Sequence, residues 1–281
     1  MPAWNPPAAW FREAVESALA EERASVELIV VDDGSAVPVS DLLADVGDSR
    51  LNVVRVSHRG AARARDAGLA EARGAFVRFL DADDVVVAGS TGRLLRLAGD
   101  EGGAIAYGWT LLCESDGTPI REARSELEGR IAAECVAGGF DAYVVSMLFP
   151  RDVVRSVGSW AEADFRVSED WDFVLRCLER APVRCLPEVV TRYRRHAASL
   201  SRTADVAAGA DAGAAVIRRY FERNPQLRGG GLERRAYARH HLNRAGAHAS
   251  RGDAGPAARE FARAGRRDPR AAALTAGRIA G

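Results

Sequence analysis

Apolar residues recur along this chain in two alternating rhythms. Between residues 6 and 22, Trp10, Phe11, Ala14, Val15, Ala18 and Leu19 share one face at helical spacing, and Pro6 and Pro7 suit a first turn. Leu28-Ile29-Val30-Val31 is an unbroken apolar run, the mark of a strand covered on both sides. It stops at the polar turn Asp32-Asp33-Gly34-Ser35. The alternation then repeats: a short helix over 41–46, a strand over 51–56, and an alanine- and arginine-rich helix over 60–71. Gly74 breaks that helix, and a strand over 76–80 ends in Asp81-Ala82-Asp83-Asp84. Strands alternating with helices predict an α/β fold with a mainly parallel, doubly wound sheet, helices on both faces, and ligands beyond the carboxyl ends of the strands. Both acidic clusters are expected at such ends.

Past residue 100 the rhythm changes. Residues 104–112 and 144–149 read as strands. Residues 169–180 read as a helix with Trp171, Val174, Leu175 and Leu178 inward, and residues 183–194 as an extended stretch interrupted by Pro187. From about residue 202 the pattern becomes a C-terminal helical extension broken at Gly229-Gly230-Gly231. Within it, residues 242–268 loosely resemble one tetratricopeptide-like helix pair. The chain therefore divides into a domain over 1–201 and an extension over 202–281.

Composition sharpens this picture by exclusion. The 39 acidic residues balance 39 basic ones, all arginine, so net charge makes no case for nucleic acid as a partner. With no lysine, the chain cannot use a P-loop, a pyridoxal Schiff base or a kinase-type strand lysine. A phosphoacceptor receiver domain, which also has acids at strand ends, needs a lysine too. The charge is uneven: residues 202–281 hold 16 arginines against 7 acids. Such a tail is either a solvated helical cap or a surface for an acidic partner, including peripheral contact with a membrane. Cys113, Cys135, Cys177 and Cys185 have no metal-like spacing and suit a reducing compartment. No apolar run approaches the ~20 residues of a membrane span, and Pro2, Trp4, Pro6 and Pro7 do not form a signal peptide. The expected location is cytoplasmic or the inner face of the membrane.

The acidic clusters carry the candidate chemistry. Aspartate, glycine and serine are ordinary turn formers. Three carboxylates in four residues also repel one another, and such oxygen ligands suit Mg2+ or Mn2+ beside a substrate phosphate.

In this order and spacing, the chain resembles the family 2 glycosyltransferases of GT-A (Rossmann-like) fold. The motifs are Pro2-Ala3-Trp4-Asn5, Val31-Asp32-Asp33-Gly34-Ser35, residues 60–68, Phe79-Leu80-Asp81-Ala82-Asp83-Asp84, Ser168-Glu169-Asp170-Trp171-Asp172 and residues 193–199. They cover residues 1 to about 201. The resemblance implies a nucleotide-sugar-binding half over 1–100 and an acceptor half over 101–201. It places Asp33 and Arg65 at the nucleotide base. Asp81 and Asp83 are the D-x-D acids, at the ribose and at a divalent cation (Mn2+ or Mg2+). Asp170, beside Glu169, is the catalytic base. Arg194 and His196 lie near the diphosphate, with His196 a further metal ligand. The implied reaction is inverting transfer of a sugar from a nucleotide-diphosphate donor to a hydroxyl of a glycan, lipid-linked or small-molecule acceptor. The alternative is a non-catalytic sugar-nucleotide-binding or scaffolding protein. Three departures stand out. Asp66 replaces the family's usual asparagine, lysine is absent, and the apolar strand that precedes the first motif in the family is not found before Pro2: either the start is misassigned and Met1 is an internal residue, or this copy is impaired in its sheet and nucleotide pocket.

Overall fold

The computed structural model describes residues 1–22, 24–99, 103–161, 168–197 and 206–270. In chain order the elements are β1 (Pro2–Ala3), α1 (Ala8–Leu19), β2 (Leu28–Asp32), α2 (Val39–Leu42), β3 (Leu51–Arg55), α3 (Ala61–Glu71), β4 (Phe76–Arg78), β5 (Val85–Val86), α4 (Ser90–Gly99), β6 (Ile105–Cys113), β7 (Pro119–Ala123), α5 (Ala132–Val136), β8 (Met147–Pro150), α6 (Arg151–Ser156), α7 (Glu169–Arg180), β9 (Val183–Arg194), α8 (Val206–Arg223), α9 (Gly231–Ala249) and α10 (Ala254–Arg267). They form two compact units. The first comprises Met1–Ile131, Asp141–Asp164 and Cys177–Ser199; the second comprises Ala132–Phe140, Phe165–Arg176 and Leu200–Gly281. The helical extension thus shares its unit with two stretches that precede residue 201.

In the first unit, β1, β2 and β3 pair in parallel, with all five β2 residues buried. The expectation that both acidic clusters close one parallel sheet needs correction. β4 belongs to a second sheet of order β4-β8-β6-β9-β5, in which only β6 and β9 run parallel. β4 takes β8 as its partner, Phe76, Val77 and Arg78 pairing antiparallel with Pro150, Phe149 and Leu148, and does not pair with β2. Pro187 does not end β9. Gly108 pairs with Leu186 and Trp109 with Val189, so Pro187 and Glu188 bulge out of the ladder. A Cβ on Gly108 would lie 2.5 Å from Val190, so the bulge needs glycine there.

The strand expected before Pro2 meets a specific surrounding. β1 pairs only with the end of β2, Pro2 with Val31 and Ala3 with Asp32. The Met1 amine donates to the Ile29 carbonyl at 2.8 Å, and the Met1 carbonyl accepts from Val31 N–H at 2.8 Å. Beyond Met1, the edge of β2 faces β4 across a cavity of about 340 Å³ lined by Ile29, Leu69, Phe76, Val77, Leu95 and Leu148 among others. Burial pushes the Met1 amine down to about 5; the Arg65 charge adds to this and Asp81 opposes it.

In the second unit, α9 and α10 form a helix pair around Glu260. Glu260 is 4% exposed and accepts from His241 at 2.7 Å and Arg263 at 2.6 Å. Arg259, Arg266 and Arg267 are exposed. All four cysteines are free, and no helix of the described residues is long and apolar enough to cross a membrane.

Candidate active site

The end of β2 is fixed by hydrogen bonds from its own turn. Asp32, 1% exposed, accepts Ser35 N–H at 2.8 Å, Val39 N–H at 3.3 Å and Arg55 at 2.9 Å. Burial works against its charge, but the Ser35 and Val39 hydrogen bonds and Arg55 hold its carboxyl below the usual range. Gly34 turns the chain at φ +74°, where a Cβ would lie 2.9 Å from His58 N. Asp33 accepts Arg59 N–H and Gly60 N–H, each at 2.8 Å, and pairs with His58 at 2.8 Å. It thereby ties the approach to α3. The Asn5 side chain accepts Ala36 N–H at 2.8 Å, and the Asn5 N–H donates to the Ser35 hydroxyl at 2.9 Å. This brace holds Trp4, 55% exposed, stacked on His58 with ring centroids 4.5 Å apart.

The turn after β4 is built differently. Asp81 pairs with Arg65 at 2.7 Å, and the Arg65 guanidinium lies 4.7 Å from the centre of the Trp160 ring. Asp66 holds that tryptophan, accepting Trp160 N–H at 2.8 Å and the Ser159 hydroxyl at 2.5 Å. The aspartate at 66 therefore has a structural task, as an acceptor on both oxygens. Asp83 pairs with His196 Nε2 at 2.8 Å, and its carbonyl accepts from Arg194 Nε at 3.0 Å. Asp84, fully buried, accepts Arg194 N–H at 2.9 Å. Arg194 also pairs with Glu13 at 2.6 Å and lies 5.1 Å from the Trp10 ring, which packs against His196 at 4.9 Å. Burial, then the neighbouring Asp81 charge, pushes the Asp83 carboxyl up, with His196 opposing. Burial, Asp81 and Asp83 push Asp84 up further.

Arg65, Asp81, Asp83, Arg194 and His196 thus come together in the first unit, and Asp33 lies in the same unit at the end of β2. Glu169 and Asp170 open α7 in the second unit. They follow Ser168, whose φ of +67° is unusual for a residue with a side chain. Trp171 N–H donates to the Asp170 carboxylate at 2.8 Å. Among the described residues, no group of three or more His, Cys, Asp or Glu is arranged to hold a metal ion. His196 is held instead as the partner of Asp83. His58, Trp10 and Trp160 escaped the sequence reading. Trp10 counted only as one apolar position of α1, and Trp160 lies in a loop whose pattern carries no period.

The comparisons with known proteins follow this geometry. A model of glycosyl transferase family 2 matches residues 1–155. The succinoglycan biosynthesis protein ExoO of Rhizobium meliloti is 38% identical over 109 residues, 38% of this chain and 31% of that protein. The UDP-Glc:alpha-D-GlcNAc-diphosphoundecaprenol beta-1,3-glucosyltransferase WfaP of Escherichia coli is 38% identical over 71 residues, 25% of this chain and 28% of that protein. Each match spans less than a third of the relative's length. Among solved structures, S. aureus TarS 1-349 in complex with UDP-GlcNAc superposes with a TM-score of 0.60 at 13% identity, covering 95% of this chain and 90% of that one. The strand-end acids therefore sit in a GT-A fold, and with the family model matching more than half of its length the chain belongs to glycosyl transferase family 2.

Proposed function

We propose that this chain moves a sugar from a nucleoside-diphosphate donor to a hydroxyl of a glycan or lipid-linked acceptor, with inversion at the anomeric carbon. The observation that carries the reading is the turn after β4. Half-buried Asp83 and fully buried Asp84 have their carboxyls pushed up there; the Arg65 guanidinium pairs with the adjacent Asp81, and the Arg194 guanidinium donates to the Asp83 carbonyl. Carboxylates that resist ionising side by side fit a divalent cation, and the guanidinium groups fit a diphosphate. Asp81 and Asp83 would hold that cation, Mn2+ or Mg2+, with His196 moving from Asp83 to join them; the metal supplies charge stabilisation to the leaving diphosphate. Asp33 and Arg65 face the nucleotide, and Arg194 the diphosphate. Asp170, with Glu169 beside it, takes the proton of the acceptor hydroxyl as that oxygen attacks.

The relatives support the choice of substrates. TarS was solved with UDP-GlcNAc, and WfaP is named for a diphosphoundecaprenol-linked acceptor. The location consistent with this reading is cytoplasmic, with the arginines of α10 meeting the inner face of the membrane. Loss of anionic-vesicle binding on removal of residues 202–281 would support that contact.

The deciding test is donor hydrolysis and transfer across UDP-, GDP- and dTDP-sugars with Mn2+ and Mg2+. Turnover of one donor is expected, and Asp170→Asn should lower transfer by roughly 100-fold or more while donor binding changes little. Metal-dependent binding with no hydrolysis of any donor would instead make the chain a sugar-nucleotide binder without turnover.

A further inference from the structure

The arginine-rich extension has a specific internal use in the second unit. Asp172, two residues after Asp170, is met by side chains of α8. Asp172 is 1% exposed. Its Oδ2 accepts from Arg176 one turn along α7 at 2.9 Å, and its Oδ1 faces Arg219 at 3.4 Å and Arg223 at 3.6 Å. Arg176 alone, at i+4, already supplies a local partner. Two further guanidinium groups from a distant helix crowd three cations around one buried carboxylate. Oδ1 is held toward Arg219 and Arg223 by charge, at ion-pair distance and without a hydrogen bond, which favours one place for the carboxylate more than it adds stability.

The consequence follows from helix geometry. Residues 170 and 172 project about 200° apart around the axis, so clamping Asp172 sets the rotation of the turn that presents Asp170. A 20° rotation would carry the Asp170 carboxylate roughly 2 Å, and misplacement by about 1 Å can cost 100-fold in rate.

We propose that Arg219 and Arg223 are positioning residues for glycosyl transfer: through Asp172, α8 aims the Asp170 carboxylate at the acceptor hydroxyl. The proposal rests on the reading of Asp170 as the base.

The test compares the variants Arg219→Gln/Arg223→Gln, Arg219→Lys/Arg223→Lys and Asp170→Asn in the full chain. Steady-state transfer would use the donor selected by the screen above, and affinity would be measured with the matching nucleoside diphosphate. The glutamine pair should lower kcat for transfer by ten-fold or more. Donor KM, nucleoside-diphosphate affinity and melting temperature should hold. The lysine pair, which keeps the charges, should recover most of the rate. Parallel loss of melting temperature and nucleotide affinity in the glutamine pair, with no rescue by lysine, would make the clamp purely structural and overturn the proposal. Wild-type kcat in the glutamine pair, with Asp170→Asn inactive, would overturn it and leave the base assignment standing. Full activity of Asp170→Asn would overturn both.

Discussion

The ends of β2 and β4 carry nearly the same kind of sequence, an apolar run stopped by aspartates, and the fold uses them in opposite ways. At β2 both carboxylates are engaged by the chain that follows. Asp32 closes its own turn and Asp33 holds the loop into α3. At β4, Asp81 and Asp83 are met by side chains from other segments, Arg65 and His196, Asp84 accepts the backbone N–H of Arg194, and Asp83 and Asp84 are pushed toward the neutral form. At β2 each carboxylate accepts two backbone N–H groups beside its side-chain partner, Arg55 or His58, and stays satisfied if that partner moves away. The partners that meet the Asp81 and Asp83 carboxylates from other segments are side chains, and these can be exchanged for a ligand. The β2 cluster is therefore scaffold first, and the β4 cluster keeps its charge imbalance for something that binds.

The largest expected effect lies between the two strands. An N-terminal extension of five valine and isoleucine residues, added before Met1, should enter the cavity beside β2 and join the two sheets. Each buried side chain contributes about 1.5–3 kcal/mol against an ordering cost of about 1–2 kcal/mol per residue. With loss of the buried amine charge, a net gain on the order of 5 kcal/mol is expected. It would read as a rise of roughly 10 °C or more in melting temperature. An unchanged melting temperature would show that the cavity does not accept a strand.

Next comes the scaffold itself. Asp32→Ala strands two backbone N–H groups and a guanidinium, and should destabilise the fold by about 4 kcal/mol in denaturant titration. Asp83→Asn should do the reverse: leave stability unchanged or slightly higher, and lower metal-dependent donor turnover by roughly 100-fold, about 2.7 kcal/mol. Equal destabilisation by the two substitutions would erase the distinction between the clusters.

The sequence by itself determined much of this protein. The continuous run 28–31, the helical spacing of 10–19 and the acids at 32–33 and 81–84 fix local elements, because backbone sterics and side-chain periodicity act over a few residues. The ordered motifs pointed to the same family as the match over residues 1–155. Only the tertiary structure decided which acids are already satisfied. Asp33 and Asp83 look alike in the chain and each pairs with a histidine, yet Asp33 also accepts backbone N–H groups 26 and 27 residues away, while the histidine on Asp83 comes from 113 residues away. The same holds for Asp172 and its arginines on α8, for Trp160 under Arg65, and for the separation of β2 and β4 into two sheets. These depend on long-range juxtaposition, which leaves no period in the sequence because it is set by how elements pack, and packing is read out only when the chain has closed on itself.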